Sequence, residues 1–402
     1  MLQKVTTTGV DLDSVYAQTL QRIREQKGDR SRLGMEVLMW VSHSQRPLSI
    51  GELCLALAVE TGSTDLDPEN VCPQDTILAS SLGLVAVDET SEVRLIHYTL
   101  QEYLCLPSVL PDAHKTLGET CLAYLNYDQV RGLPTTKGPG LQGMPFVYYS
   151  SLYWGFHAKQ GLSDGAKSLA VELLSLYENH ISSTVFGSKL CSQGHHILVG
   201  CPFPGLHFAS YWGIVWAVEA LGKTKGCDIN KIDCGGFTPL IWAAQRGNKE
   251  VVRLLLTRDD IEPDKSNNLG QTPLSKASFL GHESVVRLLL ARDDVNPNTR
   301  DNLGRTPLLL AAERGDEGVV RLLLVRDDVN PDWRDRNGIT PLWRATFGGH
   351  EGVVRLLLAR GDVDPNTRDM LGRTPLWATY VKNHKEIRAL LRPRITTPGI
   401  LG

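Results

Sequence analysis

The chain has 402 residues, which at roughly 150 per domain is a prior of two to three domains. Hydrophobic residues make up 42% and charged residues 22%, too apolar for a disordered chain, and no apolar run approaches the length of a membrane span. Forty-two basic against 45 acidic side chains leave a net charge of −3, which argues against a nucleic-acid binder held by phosphate contacts.

Residues 1–10 read as a disordered tail, and MLQKVTTTGVDLD lacks the continuous apolar stretch of a signal peptide. The segment 11–27 predicts a helix with Val15, Leu20 and Ile23 on one stripe and Asp11 or Asp13 as its cap. RLGMEVLMWVSH (32–43) predicts a second helix, and Ser49 with Glu52 forms a capping box that opens a third. A helix near 73–82 and two short apolar strands, GLVAV (83–87) and VRLIH (93–97), complete three helices and a two-stranded wing. Residues 11–107 therefore read as a winged helix, although SIGELCLALAVE carries only acidic charge where a DNA reader would be basic. Thr99 to Glu102 caps a further helix, and 112–127, 146–159 and 163–180 predict a helical region over 108–195, with a Gly/Pro-rich loop at 131–145.

From residue 200 to 395 a repeat of 34 residues takes over. Thr-Pro-Leu recurs at Thr238, Thr272, Thr306, Thr340 and Thr374, with a glycine two residues before each. Gly247, Gly281, Gly315 and Gly349 follow nine residues after the threonine, with Asn383 in the fifth copy. VVRLLL starts at Val251, Val285, Val319 and Val353, decaying to Ile387–Leu391. Thr caps a helix, Pro suits its first position, and Gly or Asn takes the left-handed conformation that ends it. The unit is a hairpin turn and two helices, and its uncovered apolar face requires stacking. The motif resembles the ankyrin repeat, T-P-L-H-x-A, with the alanine kept at Ala243, Ala277, Ala311 and Ala345. Thr379 stands in the alanine's place in the last copy. Ile241, Ser275, Leu309, Trp343 and Trp377 replace the family's histidine, and stepping back one period from Ile241 reaches His207, a degenerate sixth copy. The fold class that follows is mostly α: a winged helix and helical bundle followed by an ankyrin α-solenoid with short β-hairpins, then a tail at 396–402.

The resemblance implies a protein partner, bound through hairpin tips and the face of the short first helices, and no catalytic residues. Columns that vary between copies mark the read-out: Phe237, Gln271, Arg305, Ile339 and Arg373 before the threonine, and Trp242, Lys276, Leu310, Arg344 and Ala378 four after it. Aromatic and arginine side chains on a varying face are what binding hot spots use. Trp242, Lys276, Arg305, Trp333, Arg344 and Arg373 are thus the candidate partner-binding residues, whereas Trp343 and Trp377 read as stack contacts in the histidine's place.

LDSVYAQTLQRI, WVSHSQRPLSIGELCLAL and VRLIHYTLQEYL resemble the segment after the NACHT domain in fungal STAND-type NTPases, relatives of NOD-like receptors, over about residues 10–190. In those switches a histidine ending the winged helix contacts ADP phosphate, and by position that is His97, a role the resemblance ties to a NACHT module. Here Tyr98 replaces the aspartate that follows it in the family.

Three apparent chemical motifs are decoys. AVEALGKT (217–224) mimics a phosphate loop but has helix-forming residues where glycines belong. GLSDG (161–165) mimics a nucleophile elbow, yet its serine reads as a helix cap. Cys191, His195, His196 and Cys201 match no zinc spacing. Eight scattered cysteines with no CxxC pair suit a reducing compartment. The sequence predicts a cytoplasmic, non-enzymatic interaction protein without cofactor or metal, engaging neither membrane nor nucleic acid, and a piece of a NACHT–ankyrin signalling system. The alternatives are an incomplete product of a nucleotide-regulated NTPase in self/non-self recognition, and a transcriptional regulator.

Overall fold

The structure, a computed structural model, describes residues 12–135, 143–193 and 201–394. Both tails, the centre of the 131–145 loop, Asp11, His195 and His196 lie outside the described residues. The chain divides into two compact units, Met1–Gly205 and Leu206–Gly402.

In the first unit, helix Leu12–Arg24 buries Tyr16, Leu20 and Ile23. Val15 is exposed, contrary to the predicted stripe, because Tyr16 and not Val15 stands four residues from Leu20 on the helix face. Tyr16 Oη shares a hydrogen bond with Thr99 Oγ1 at 2.7 Å. Helix Arg30–His43 follows, and the Ser49–Glu52 capping box is complete, with Ser49 Oγ accepting from Glu52 N and Glu52 Oε2 accepting from Ser49 N. The wing has three strands rather than two. β1 (Leu48–Ser49) pairs antiparallel with β3 (Glu92–Leu95), which also pairs with β2 (Val85–Val87). Two residues are too few to show a period, so β1 is silent in the sequence.

Helices Ala113–Leu125 and Phe146–Ala158 pack on each other and join the winged helix through Trp40, whose ring meets Phe146 and Tyr149 edge-on at 5.6 and 5.9 Å. The helix predicted at 163–180 ends at Ser175, and a further helix, Ile181–Ser192, is capped by His180. Three histidines line up beside this core. His43 Nδ1 lies 2.8 Å from Ser42 Oγ, the His43 and His114 rings are 5.3 Å apart, and His114 Nδ1 meets His157 Nδ1 at 2.9 Å. Tyr149 Oη closes the row 3.0 Å from His157 Nε2.

In the second unit each Thr-Pro-Leu opens a helix, with the threonine hydroxyl accepting from the N–H three residues on at 3.2–3.3 Å. Gly315 (φ +75°) and Asn383 (φ +57°) take the left-handed turn after the first helix, as expected. The second helices bury the two valines and the middle leucine of each VVRLLL block, with Leu358 also buried in the fourth, and expose its arginine. First helices pack on first helices and second on second, so successive copies share two continuous layers. A preceding, degenerate copy supplies helices Gly205–Trp212 and Val215–Gly222, and His207 Nε2 bonds Phe237 O at 3.0 Å. The expected short β-hairpins are instead tight turns, each closed by two backbone bonds such as Asp233 N to Phe237 O and Gly236 N to Asp233 O, and no strand occurs in this unit among the described residues.

Two side-chain columns tie each copy to the one before. Arg292, Arg326 and Arg360 each grip the aspartate two residues on and extend Nη1 to a carbonyl at the end of the preceding second helix: Leu256, Leu290 and Leu324. His282, His350 and His384 reach the carbonyls of Gln245, Glu313 and Phe347 at 3.1–3.4 Å. Both columns satisfy backbone carbonyls that a helix end leaves over.

Leu323, fully buried between copies, is expected to cost about 2–5 kcal/mol when replaced by Ala, read by urea denaturation. In the first unit, burial holds His43 and His180 down to about 4 and His157 to about 3, against an ordinary 6.5; neighbouring histidines add to the effect at His43 and His157. The unfolded chain therefore takes up protons that the folded chain refuses, so stability is complete above pH 6.5 and falls as pH drops toward 4. His157→Gln should flatten that slope by close to one proton; an unchanged slope in pH-dependent denaturation would contradict the assignment.

Candidate partner-binding face

The face is built from one buried side chain per hairpin. Asp233, Asn267, Asp301, Asp335 and Asp369 stand 34 residues apart, all nearly inaccessible. In each, Oδ1 accepts from the backbone N–H groups two and four residues on, at 2.8–3.0 Å. Converging N–H groups stabilise an anion or amide oxygen and fix the turn.

The second oxygen points toward the variable columns. Trp242 Nε1 donates to Asp233 Oδ2 at 2.9 Å, and Arg305 Nε and Arg373 Nε donate to Asp301 and Asp369 at 2.8 and 2.7 Å. Arg344 Nη2 lies 3.7 Å from Asp335 Oδ2. Three candidate cations, Arg305, Arg344 and Arg373, are half-buried and aimed by this column. Lys276 is also half-buried, with Nζ 5.4 Å over the Phe237 ring; burial first and the Arg305 charge second push it down to about 8.

Trp242 must be withdrawn as a contact residue. Its ring is fully buried, stacked on Phe237 at 4.6 Å and edge-on to Tyr211 at 5.5 Å. Its variation between copies does not mark exposure here: at this position Trp242 and Arg344 serve the framework acids Asp233 and Asp335, while Asp301 and Asp369 are served by Arg305 and Arg373 from the neighbouring column. Trp333 is 37% exposed beneath Arg300, whose guanidinium sits 5.1 Å from its ring. Trp343 is buried and stacked at 5.1 Å on Phe347 of its own helix, Pro341–Gly348. Trp377 is 38% exposed instead, since it lies on the last described copy; Arg373 lies over it at 4.9 Å. The exposed apolar residues Leu303, Met370 and Leu371 at the hairpins, and Tyr380 and Val381 after Trp377, were missed. Their positions fall at turn tips and helix ends, where a sequence pattern has no period to violate.

Two of the decoys resolve on geometry, whereas the histidines of the third, His195 and His196, lie outside the described residues. Ala217–Gly222 is the C-terminal part of helix Val215–Gly222, not a loop opening a helix, and Ser163 caps helix Asp164–Ser175 by accepting from Ala166 N. No group of three His, Cys, Asp or Glu side chains suited to a metal occurs among the described residues. His97 is exposed and caps helix Tyr98–Leu104 in place of the predicted Thr99, its Nδ1 accepting from Thr99 N at 3.2 Å. It borders a cleft of roughly 400 Å³ whose arginines, Arg46 and Arg94, are paired with Glu52 and with Asp88 and Glu92.

With this geometry in place, residues 206–301 and 294–369 match the family model of ankyrin repeats (3 copies), and residues 21–112 match that of the GPI inositol-deacylase winged helix domain. The chain thus carries an N-terminal winged helix followed by ankyrin repeats. No curated protein matches the chain. Among solved structures, the ankyrin repeat protein EF0377 is 24% identical, with 46% of this chain and 96% of that one covered and a TM-score of 0.44. An ankyrin repeat domain (ABAYE2397) from Acinetobacter baumannii AYE is 27% identical, with 47% and 96% covered and a TM-score of 0.44. Ankyrin repeats are an interaction module, and no described helix is long and apolar enough to cross a membrane.

Scaffold and surface should separate cleanly by mutation. Trp242→Ala is expected to cost about 3–5 kcal/mol through the cavity it leaves. Trp242→Phe costs about 1–3 kcal/mol, by leaving Asp233 Oδ2 without its donor. Trp333→Ala should stay within about 0.5 kcal/mol, as exposed positions do.

Proposed function

We propose that the chain is a non-enzymatic interaction module whose ankyrin hairpins and first helices recognise a protein partner. The observation that carries this is the row of half-buried cations, Lys276, Arg305, Arg344 and Arg373, two of them, Arg305 and Arg373, held by framework carboxylates, with Trp333 exposed on a hairpin among them. Side chains fixed in place before binding lose little freedom on binding, which favours affinity. A cytoplasmic location fits eight cysteines that all remain thiols.

The finer reading is a piece of a NACHT–ankyrin signalling protein. It is supported by the order of the two matches, a winged helix at 21–112 and repeats from 206, together with the resemblance over residues 10–190. In that setting His97 and its cleft would face the nucleotide module.

The test is crosslinking capture from cell extract with the full chain and with a Trp333→Ala/Arg344→Ala variant. Arg344 makes only a long, part-exposed ion pair, so the double variant should melt within about 4 °C of the parent. The partner captured by the parent should be lost from the variant. Undiminished capture by a folded variant would remove these side chains from the interface.

A further inference from the structure

We propose that Lys276, with Arg305 beside it, is a subsite for a carboxylate side chain on an acidic peptide segment of the partner. The proposal rests on the reading of this face as a protein-binding surface and names the chemistry of what binds there.

Lys276 stands nine residues after its hairpin's framework residue, in register with Trp242 and Arg344. Both of those direct a donor at the framework acid of their own copy, Asp233 and Asp335. In the other two copies this position is neutral, Leu310 and Ala378, and the acid is taken by Arg305 and Arg373. Only at Asn267 is the acid replaced by an amide, and Asn267 Nδ2 is committed to Gln271 Oε1 at 3.1 Å. This copy therefore keeps the cation and lacks its carboxylate.

Nothing else among the described residues supplies it: no carboxylate pairs with Lys276. The groups around it are the Phe237 ring under Nζ and the Arg305 guanidinium, itself paired with Asp301 at 2.8 Å and 3.8 Å from Glu313. Keeping a half-buried ammonium charged next to another cation is costly, and an anion brought by a partner relieves both terms. The vacancy in the column is one carboxylate and one charge in size. A phosphate would bring nearly two charges to a single unanswered cation, which favours Glu or Asp.

The test uses the full chain and two fluorescein-labelled hexapeptides, (Glu-Leu)3 and (Gln-Leu)3, followed by anisotropy. Asn267→Asp is the informative variant. Its Oδ1 keeps both backbone bonds and its Oδ2 answers Lys276 from within, as the sister hairpins do, so the fold is retained. Wild-type chain should bind the Glu peptide about tenfold more tightly than the Gln peptide, and Asn267→Asp and Lys276→Gln should each remove most of that preference. Equal affinity for both peptides, an undiminished preference in Asn267→Asp, or no saturable binding of the Glu peptide would overturn the subsite. Partner capture that survives Asn267→Asp but not Trp333→Ala/Arg344→Ala would overturn the subsite and leave the interaction reading standing. Capture indifferent to Trp333 and Arg344, with the peptide preference intact, would do the reverse.

Discussion

Two backbone N–H groups converge on one buried side-chain oxygen in every hairpin of the second unit, and the rest of that unit depends on it. An oxygen so placed fixes the turn between copies, and with it the angle at which each Thr-Pro-Leu helix leaves. Because a carboxylate has a second oxygen, the same residue also aims a donor from the variable columns. Scaffold and read-out thus share one side chain. A substitution at Asp301 or Asp335 would disturb both.

The copies are coupled through layers and through polar ties. Valines and leucines of neighbouring second helices exclude water over the length of the unit, and no copy could bury them alone. Arginine and histidine columns then satisfy helix-end carbonyls of the copy before, which makes stability a property of adjacent pairs. On such a rigid support, cations differ in how far they are neutralised. Arg305 and Arg373 are fully answered from within, Arg344 partly, and Lys276 not at all by any described carboxylate. That gradation, more than the presence of aromatic side chains, distinguishes this face from a bare ankyrin framework.

Much of the fold was legible because its signals are local. A threonine hydroxyl, a proline ring and a left-handed glycine act within four residues of themselves, and five copies in register average away the exceptions. The capping box at Ser49 and Glu52 is legible for the same reason. Trp242 is buried although its column varies between copies, so variation there is no sign of exposure. A varying residue can instead be a buried partner of a constant one, and the constant one, the Asp/Asn column, is spaced by 34 residues within turn segments whose composition alone does not single it out. Tyr16 in place of Val15 and the two-residue strand β1 each depend on a contact with a distant segment, Thr99 for Tyr16 and Val93 for Leu48, which no local pattern encodes.

The Asp/Asn column, not the turn sequence alone, holds each of the five described hairpins. Native-state amide hydrogen exchange tests it most directly, on the N–H groups of Phe237, Gln271, Arg305, Ile339 and Arg373, each of which donates to a framework Oδ1. The account predicts that all five exchange only when their copy unfolds, the Asn267 hairpin included. Exchange at the rate of an open surface turn in these five would contradict it.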